Sequence, residues 1–149
     1  MEQVWRIAFI GVIMYSFWAT SYAQKKAVSV AELPSKAKDF LMEHYERVQV
    51  SSVTSEIKSW FAKDAFQVKL RDGKSIEFDE LGNWKELDGK RAALPLAIVP
   101  EKVRIYLARS FPKNFVVRMR RDDDKYLVAI SNGLELEFNR KGKFIKINH

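Results

Sequence analysis

Two histidines and no cysteine restrict what this chain of 149 residues could do to a substrate. An activated nucleophile needs a neighbouring base. His44 and His149 are the only imidazoles, and no hydrolase elbow, phosphate-binding glycine loop or paired-histidine motif accompanies either. His44 falls on the apolar face of a helical stretch, where a half-buried imidazole has an ordinary packing role. Without a thiol there are no disulfides, no thiolate catalysis and no cysteine-ligated zinc. Asp122-Asp123-Asp124 sets three carboxylates side by side. A calcium loop instead spaces its oxygen ligands at alternate positions, with a glycine and a later bidentate Glu, whereas Lys125-Tyr126 follows here. The run reads as a solvated turn that balances Arg118, Arg120 and Arg121. Glu77, Asp79, Glu135 and Glu137 alternate with Ile76, Phe78, Leu136 and Phe138. They could do acid–base work only in a cleft that splits their pKa values, and nothing in the pattern builds one. No catalytic residue, metal ligand or cofactor is assigned, and the chain reads as a binding protein, not an enzyme.

Two features suggest recognition. Trp60-Phe61, flanked by Lys58 and Lys63, sits in a stretch without a counterpart elsewhere in the chain. Large aromatics at the tip of a hairpin make strong anchors for a partner, though the same rings could fold back into the core. The second feature is charge. Residues 33–87 carry nine Lys and Arg against ten Asp and Glu, whereas residues 99–149 carry twelve against six. The excess lies on strands and turns around Arg118 and Arg120, where it would draw an acidic partner. Trp60, Phe61, Arg118 and Arg120 are the candidate partner-binding residues.

The elements that must position these residues follow from an internal match. Leu33-Pro34 recurs as Val99-Pro100, Phe40-Leu41 as Tyr106-Leu107 and Tyr45 as Phe111, all at an offset of 66. Further on the offset is 60: Phe66, Val68 and Leu70 recur as Tyr126, Val128 and Ile130, Asp72-Gly73 as Asn132-Gly133, and Gly82 as Gly142. The change of offset places six extra residues within Thr54–Ala65, around Trp60-Phe61. Each unit opens with a helix, its proline expected just inside the start, and one apolar face at helical spacing. Alternating strands flank Asp72-Gly73 and Asn132-Gly133, read as two-residue type I′ hairpin turns. Val50 and Val53, like Val116 and Met119, sit three apart, which predicts a bulge. The fold class is α+β: two tandem units, each a helix followed by four antiparallel strands, their helices covering one sheet face.

Before the first unit, Arg6 and the apolar run Ile7–Trp18 precede Ser21-Tyr22-Ala23. Residues 1–23 therefore read as a signal peptide cleaved after Ala23, too short to span a bilayer. Residues 24–88 form the first unit, 89–98 a short apolar connector, and 99–149 the second.

The Leu33-Pro34 opening, Tyr45, Phe66–Leu70, Asp72-Gly73 and Gly82-Asn83-Trp84, with their second-unit counterparts, resemble the PepSY-like, β-lactamase-inhibitor-like proteins of the Gram-negative periplasm. The resemblance implies export, the two sheets joined into one curved sheet, and an inhibitor-like role. The expected function is non-catalytic binding of a cell-envelope protein through the open sheet face and the Trp60-Phe61 hairpin. The alternative is a periplasmic sensor or binder of a small or anionic envelope ligand. Nucleic acid is not an expected partner, and no membrane span remains after processing.

Overall fold

The computed structural model describes residues 24–57 and 65–148. The proposed signal peptide, Trp60, Phe61 and His149 lie outside the described residues. Strand β1 (Gln24–Val28) leads through a 3-10 turn (Val30–Glu32) into helix α1 (Ser35–Tyr45). Strands β2 (Val50–Ile57), β3 (Ala65–Leu70), β4 (Ser75–Asp79) and β5 (Trp84–Asp88) follow. A second 3-10 turn (Leu96–Ile98) and helix α2 (Glu101–Ser110) precede β6 (Val116–Arg121), β7 (Lys125–Ile130), β8 (Glu135–Asn139) and β9 (Phe144–Asn148). All nine strands form one open antiparallel sheet in chain order.

The ladder aligns one continuous apolar row. Val28, Val53, Val68, Ile76, Leu87, Met119, Val128, Leu136 and Ile147 are successive cross-strand partners. From Val53 to Leu136 every one is buried. Period-two alternation sends the neighbouring row to the other face: Ala27, Thr54, Gln67, Glu77, Glu86, Arg120, Leu127, Glu137 and Lys146. Both helices lie on the apolar side. The Phe40 ring of α1 meets Phe78 edge-on at 5.7 Å, and Tyr106 of α2 meets Phe138 the same way at 5.4 Å. T-shaped contacts of this kind add to simple burial.

Pro34 and Pro100 are the N-cap residues of the two helices, one position earlier than expected. Extended backbone at the cap suits proline, and its carbonyl still accepts the first helical hydrogen bond, from the Lys38 N–H at 3.2 Å. The ladder slips between Val50 and Ser52 and again between Val116 and Arg118, where the three-residue spacing predicts bulges. Strand β1 was not anticipated.

The hairpin turns differ from the expected type. Gly73 and Gly133 have φ of 90° and 91°, but Lys90 is the only other residue besides glycine with positive φ among the described residues. Asp72 and Asn132 therefore cannot be in type I′ turns, which need positive φ at both central positions. Each loop has three residues. The Gly73 N–H bonds to Leu70 O at 3.0 Å, and the Leu70 N–H bonds to Lys74 O at 2.9 Å. This is a type I turn closed by a left-handed glycine. The wider loop frees the Arg71 N–H to bond Gln49 O, as the Ser131 N–H bonds Phe115 O, both at 2.9 Å.

Three register pairs join β5 to β6: Glu86 with Arg120, Leu87 with Met119, and Asp88 with Arg118. The connector returns across this seam, with the Gly89 and Leu94 N–H groups bonding to Val117 O and Val116 O, and Leu94 is buried. Aromatic stacking crosses it too. Phe144 of β9 stacks on Tyr106 at 4.6 Å, but its counterpart Trp84 stacks on Tyr126 of β7 at 6.5 Å. The Arg121 guanidinium lies 4.7 Å from the Trp84 ring centre, and Arg140 lies 5.5 Å from that of Tyr126.

Candidate functional site

Alternation on β6 turns Arg118 and Arg120 onto the face that the helices leave open. Neither stands alone there. Arg118 Nη2 is 3.3 Å from Glu135 Oε2, and its cross-strand partner is Asp88. Arg120 Nε is 3.5 Å from Asp122 Oδ1, and its cross-strand partner is Glu86. The basic excess counted along the second half thus meets carboxylates of the first half at the seam. Burial by itself would raise the Asp88 carboxyl. Hydrogen bonds from Lys90, at 2.7 Å from both its amide and its ammonium, outweigh that, and the charges of Lys90 and Arg118 add to them. The Asp88 carboxyl is held below its ordinary range.

Beside the two arginines lies a shallow polar depression of about 170 Å³, lined by Gln67, Ser75, Glu77, Glu86, Asp88 and Lys90. Glu77 and Glu86 are direct cross-strand neighbours, an arrangement of like charges that costs stability in a sheet. The open face therefore presents an acidic field on β4 and β5 next to a mixed strip on β6–β8. Leu127, which points into this strip, is buried beneath its long neighbours. The strip offers no apolar patch.

The other candidates have structural roles. His44 places its ring 4.7 Å from Phe40, edge to face, with Nε2 3.9 Å from Glu43. The Asp122–Asp124 turn is tied down through its backbone, since Arg140 Nη1 donates to Asp122 O at 2.7 Å and the Arg140 N–H to Asp124 O at 3.1 Å. Its side chains part company: Asp122 faces Arg120, and Asp123, in solvent, is 4.0 Å from Lys85. Among the described residues no three Asp, Glu or His side chains gather as a metal site, and no helix is long and apolar enough to cross a membrane.

Asp79 closes the β4–β5 turn by accepting the Leu81 and Asn83 N–H groups at 3.0 and 2.8 Å, and the Asn83 amide besides. Burial opposes its ionisation, but these bonds and the Arg121 charge prevail and hold its carboxyl below the usual value. A carboxyl depressed in the folded state lends stability that is complete above its unfolded value, ~3.9, and lost as pH falls through the folded one. Asn139 does the same task neutrally in the β8–β9 turn, accepting the Lys141 and Lys143 N–H groups, each at 3.0 Å. Asp79→Asn is therefore expected to keep stability at neutral pH within about 1 kcal/mol and to shrink the loss between pH 7 and pH 3. Urea melts at the two pH values check this, and an unchanged acid loss would count against it.

Residues 64–146 match the family described as "Putative beta-lactamase-inhibitor-like, PepSY-like". No curated protein matches the chain. Among solved structures, one described as "a putative calcium-regulated periplasmic protein" from Bacteroides thetaiotaomicron is 31% identical, with a TM-score of 0.79. The match covers 84% of this chain and 97% of that one. A periplasmic protein from Bacteroides vulgatus is 30% identical with a TM-score of 0.79, covering 85% and 98% of the two chains. A second protein from that organism, of unknown function, is 27% identical with a TM-score of 0.80, covering 85% and 100%. With more than half its length matched by the family and nearly whole relatives superposed on its sheet and helices, the chain belongs to the PepSY-like, β-lactamase-inhibitor-like family.

Proposed function

We propose that the chain is a non-catalytic binding protein of the periplasm, exported by cleavage after Ala23, that holds a protein partner on its open sheet face. The observation that carries this reading is the β5–β6 seam. There Glu86, Asp88, Arg118 and Arg120 bring both signs of charge together on the face opposite α1 and α2. A face with alternating fields suits recognition by electrostatic complementarity, and the two depressions found on it, of about 170 and 80 Å³, are small and polar. The family's inhibitor-like description and the periplasmic relatives are consistent with a protein partner in that compartment. In this reading Trp60 and Phe61 add an apolar anchor to the charged contacts. The two halves arose as tandem copies of a helix-plus-four-strand unit, which accounts for the matched positions of Phe40 with Tyr106 and Phe78 with Phe138.

Immobilised mature chain, beginning at Gln24, tests this against extract from its own cell envelope. The combined substitution Arg118→Ala, Arg120→Ala should lower retention of the captured protein at least tenfold. Capture by the unsubstituted chain should fall as salt rises, since exposed charges are screened within about 10 Å at 0.1 M. Equal retention by both chains at every salt concentration would remove the open face from the interaction.

A further inference from the structure

Two apolar grooves lie on the helix side, away from the charged face. The first, of about 320 Å³, opens between the Val30–Glu32 turn, the end of α1 and the start of β2. The second, of about 210 Å³, opens at the corresponding place around α2. Each of the eight residues lining the first has its counterpart 66 positions later lining the second. Leu41, Tyr45 and Val50 line the first as Leu107, Phe111 and Val116 line the second. Burial, and then the Asp72 charge, pushes the Tyr45 phenol up to about 12, so this ring lines the groove as a neutral phenol.

A hollow beside the helix end could follow from the fold alone, but what rims it does not. Of seven large apolar side chains exposed among the described residues, four are at these grooves: Val30 and Met42 at the first, Leu96 and Phe115 at the second. Val30 and Leu96 occupy equivalent positions in the two 3-10 turns. Each groove also carries one cation at an equivalent place. Lys38 Nζ is anchored to Ala31 O at 3.3 Å, and the exposed Arg104 guanidinium has no hydrogen-bond or ion-pair partner among the described residues.

We propose that the grooves are twin docking sites for apolar, acidic peptide segments of a protein partner, each seating a large apolar side chain with its neighbouring carboxylate on Lys38 or Arg104. The occupant follows from charge complementarity and size. A groove this short holds one or two side chains, and a cation at its lip selects a carboxylate beside them. A second copy of the chain fits poorly, because exposed Lys102, Arg104 and Arg109 would face a molecule of net charge +7. The grooves are not equal. Glu46 stands at the first where Pro112 stands at the second, so an acidic segment fills the second first. Fixed together on one sheet, they give a partner with two such segments an effective-concentration gain. The proposal rests on the reading of the chain as a binding protein but uses a different surface.

Methyl-labelled mature chain, titrated with a short synthetic peptide of leucines flanked by aspartates, tests it by nuclear magnetic resonance. Two peptides should bind per chain, with the Leu96 methyls responding at lower concentration than the Met42 methyl. Arg104→Glu should weaken the Leu96 response at least tenfold and leave that of Met42 in place, and Lys38→Glu should do the reverse. Leu96→Ser, at a site 67% exposed, should weaken the second groove without disturbing the fold. Arg118→Ala with Arg120→Ala should change neither response, so failure of the open-face reading and failure of this one are separate results. Equal binding of a leucine–lysine peptide, shifts confined to the open face, or a response to phosphatidylglycerol vesicles but not to the peptide would each overturn it.

Discussion

Phe78→Ala and Phe138→Ala will each destabilise the fold by about 3–5 kcal/mol, the range for a fully buried phenylalanine. Both rings are completely excluded from solvent. Each is the point where a helix rests on the sheet, so its loss leaves a cavity beneath Phe40 or Tyr106 as well as removing its own burial. The two penalties should be similar, because the contacts have the same geometry. They should also act on one transition. The apolar row passes through the seam at Leu87 and Met119, both fully buried, without a break. Urea denaturation followed by tryptophan fluorescence and by far-ultraviolet circular dichroism will show this as coincident curves. If Phe138→Ala separates the curves into two steps, the halves are independent and the seam is weaker than its packing indicates.

Gly82→Ala should be nearly as damaging, at about 2–5 kcal/mol, although it adds one methyl group. Gly82 has φ of 81°, and a Cβ there would lie 2.8 Å from the Ala37 backbone nitrogen and 2.9 Å from Pro34 Cβ. Backbone strain of about 1–3 kcal/mol is joined by a comparable overpacking penalty, since the atoms in the way belong to the start of α1 and cannot swing aside. Gly73 gives the contrast. Its φ is 90°, but nothing lies within 4 Å of the added atom, so Gly73→Ala should lose only about 1–2 kcal/mol. Gly142 meets Lys102 Cβ at 2.9 Å and falls between them. Equal melting temperatures for Gly82→Ala and Gly73→Ala would mean that the β4–β5 turn does not press on the helix.

Much of this architecture was readable from particular residues. Alternation around Asp72-Gly73 and Asn132-Gly133 located the two hairpins, and spacing of Phe40, Leu41 and Tyr45 located the buried side of α1. The turn type was misread because Asp-Gly suits both a two-residue and a three-residue loop. What decides between them is whether Arg71 pairs within the hairpin, and its N–H goes instead to Gln49 O. Strand β1 escaped notice because Gln24–Val28 is a short segment with two lysines. Only its partner β2 makes it a strand. Counting charges along the chain marked Arg118 and Arg120 but could not show that register sets Asp88 and Glu86 against them. The grooves were hidden for a related reason. Val30 and Leu96 lie in 3-10 turns too short for periodicity, although the offset of 66 that pairs them, and Lys38 with Arg104, was already present in the sequence.

That the sheet follows chain order has a consequence for how quickly this protein can form. Each strand's first partner is the strand just before it, so most pairings close short loops and little chain entropy is lost before contacts repay it. Large β-proteins usually fold slowly because distant segments must meet. Here the longest excursions between adjacent strands are those occupied by α1 and α2, whose own hydrogen bonds are local. The sheet can grow from its hairpins one neighbour at a time, with a contact order well below what nine strands would otherwise suggest.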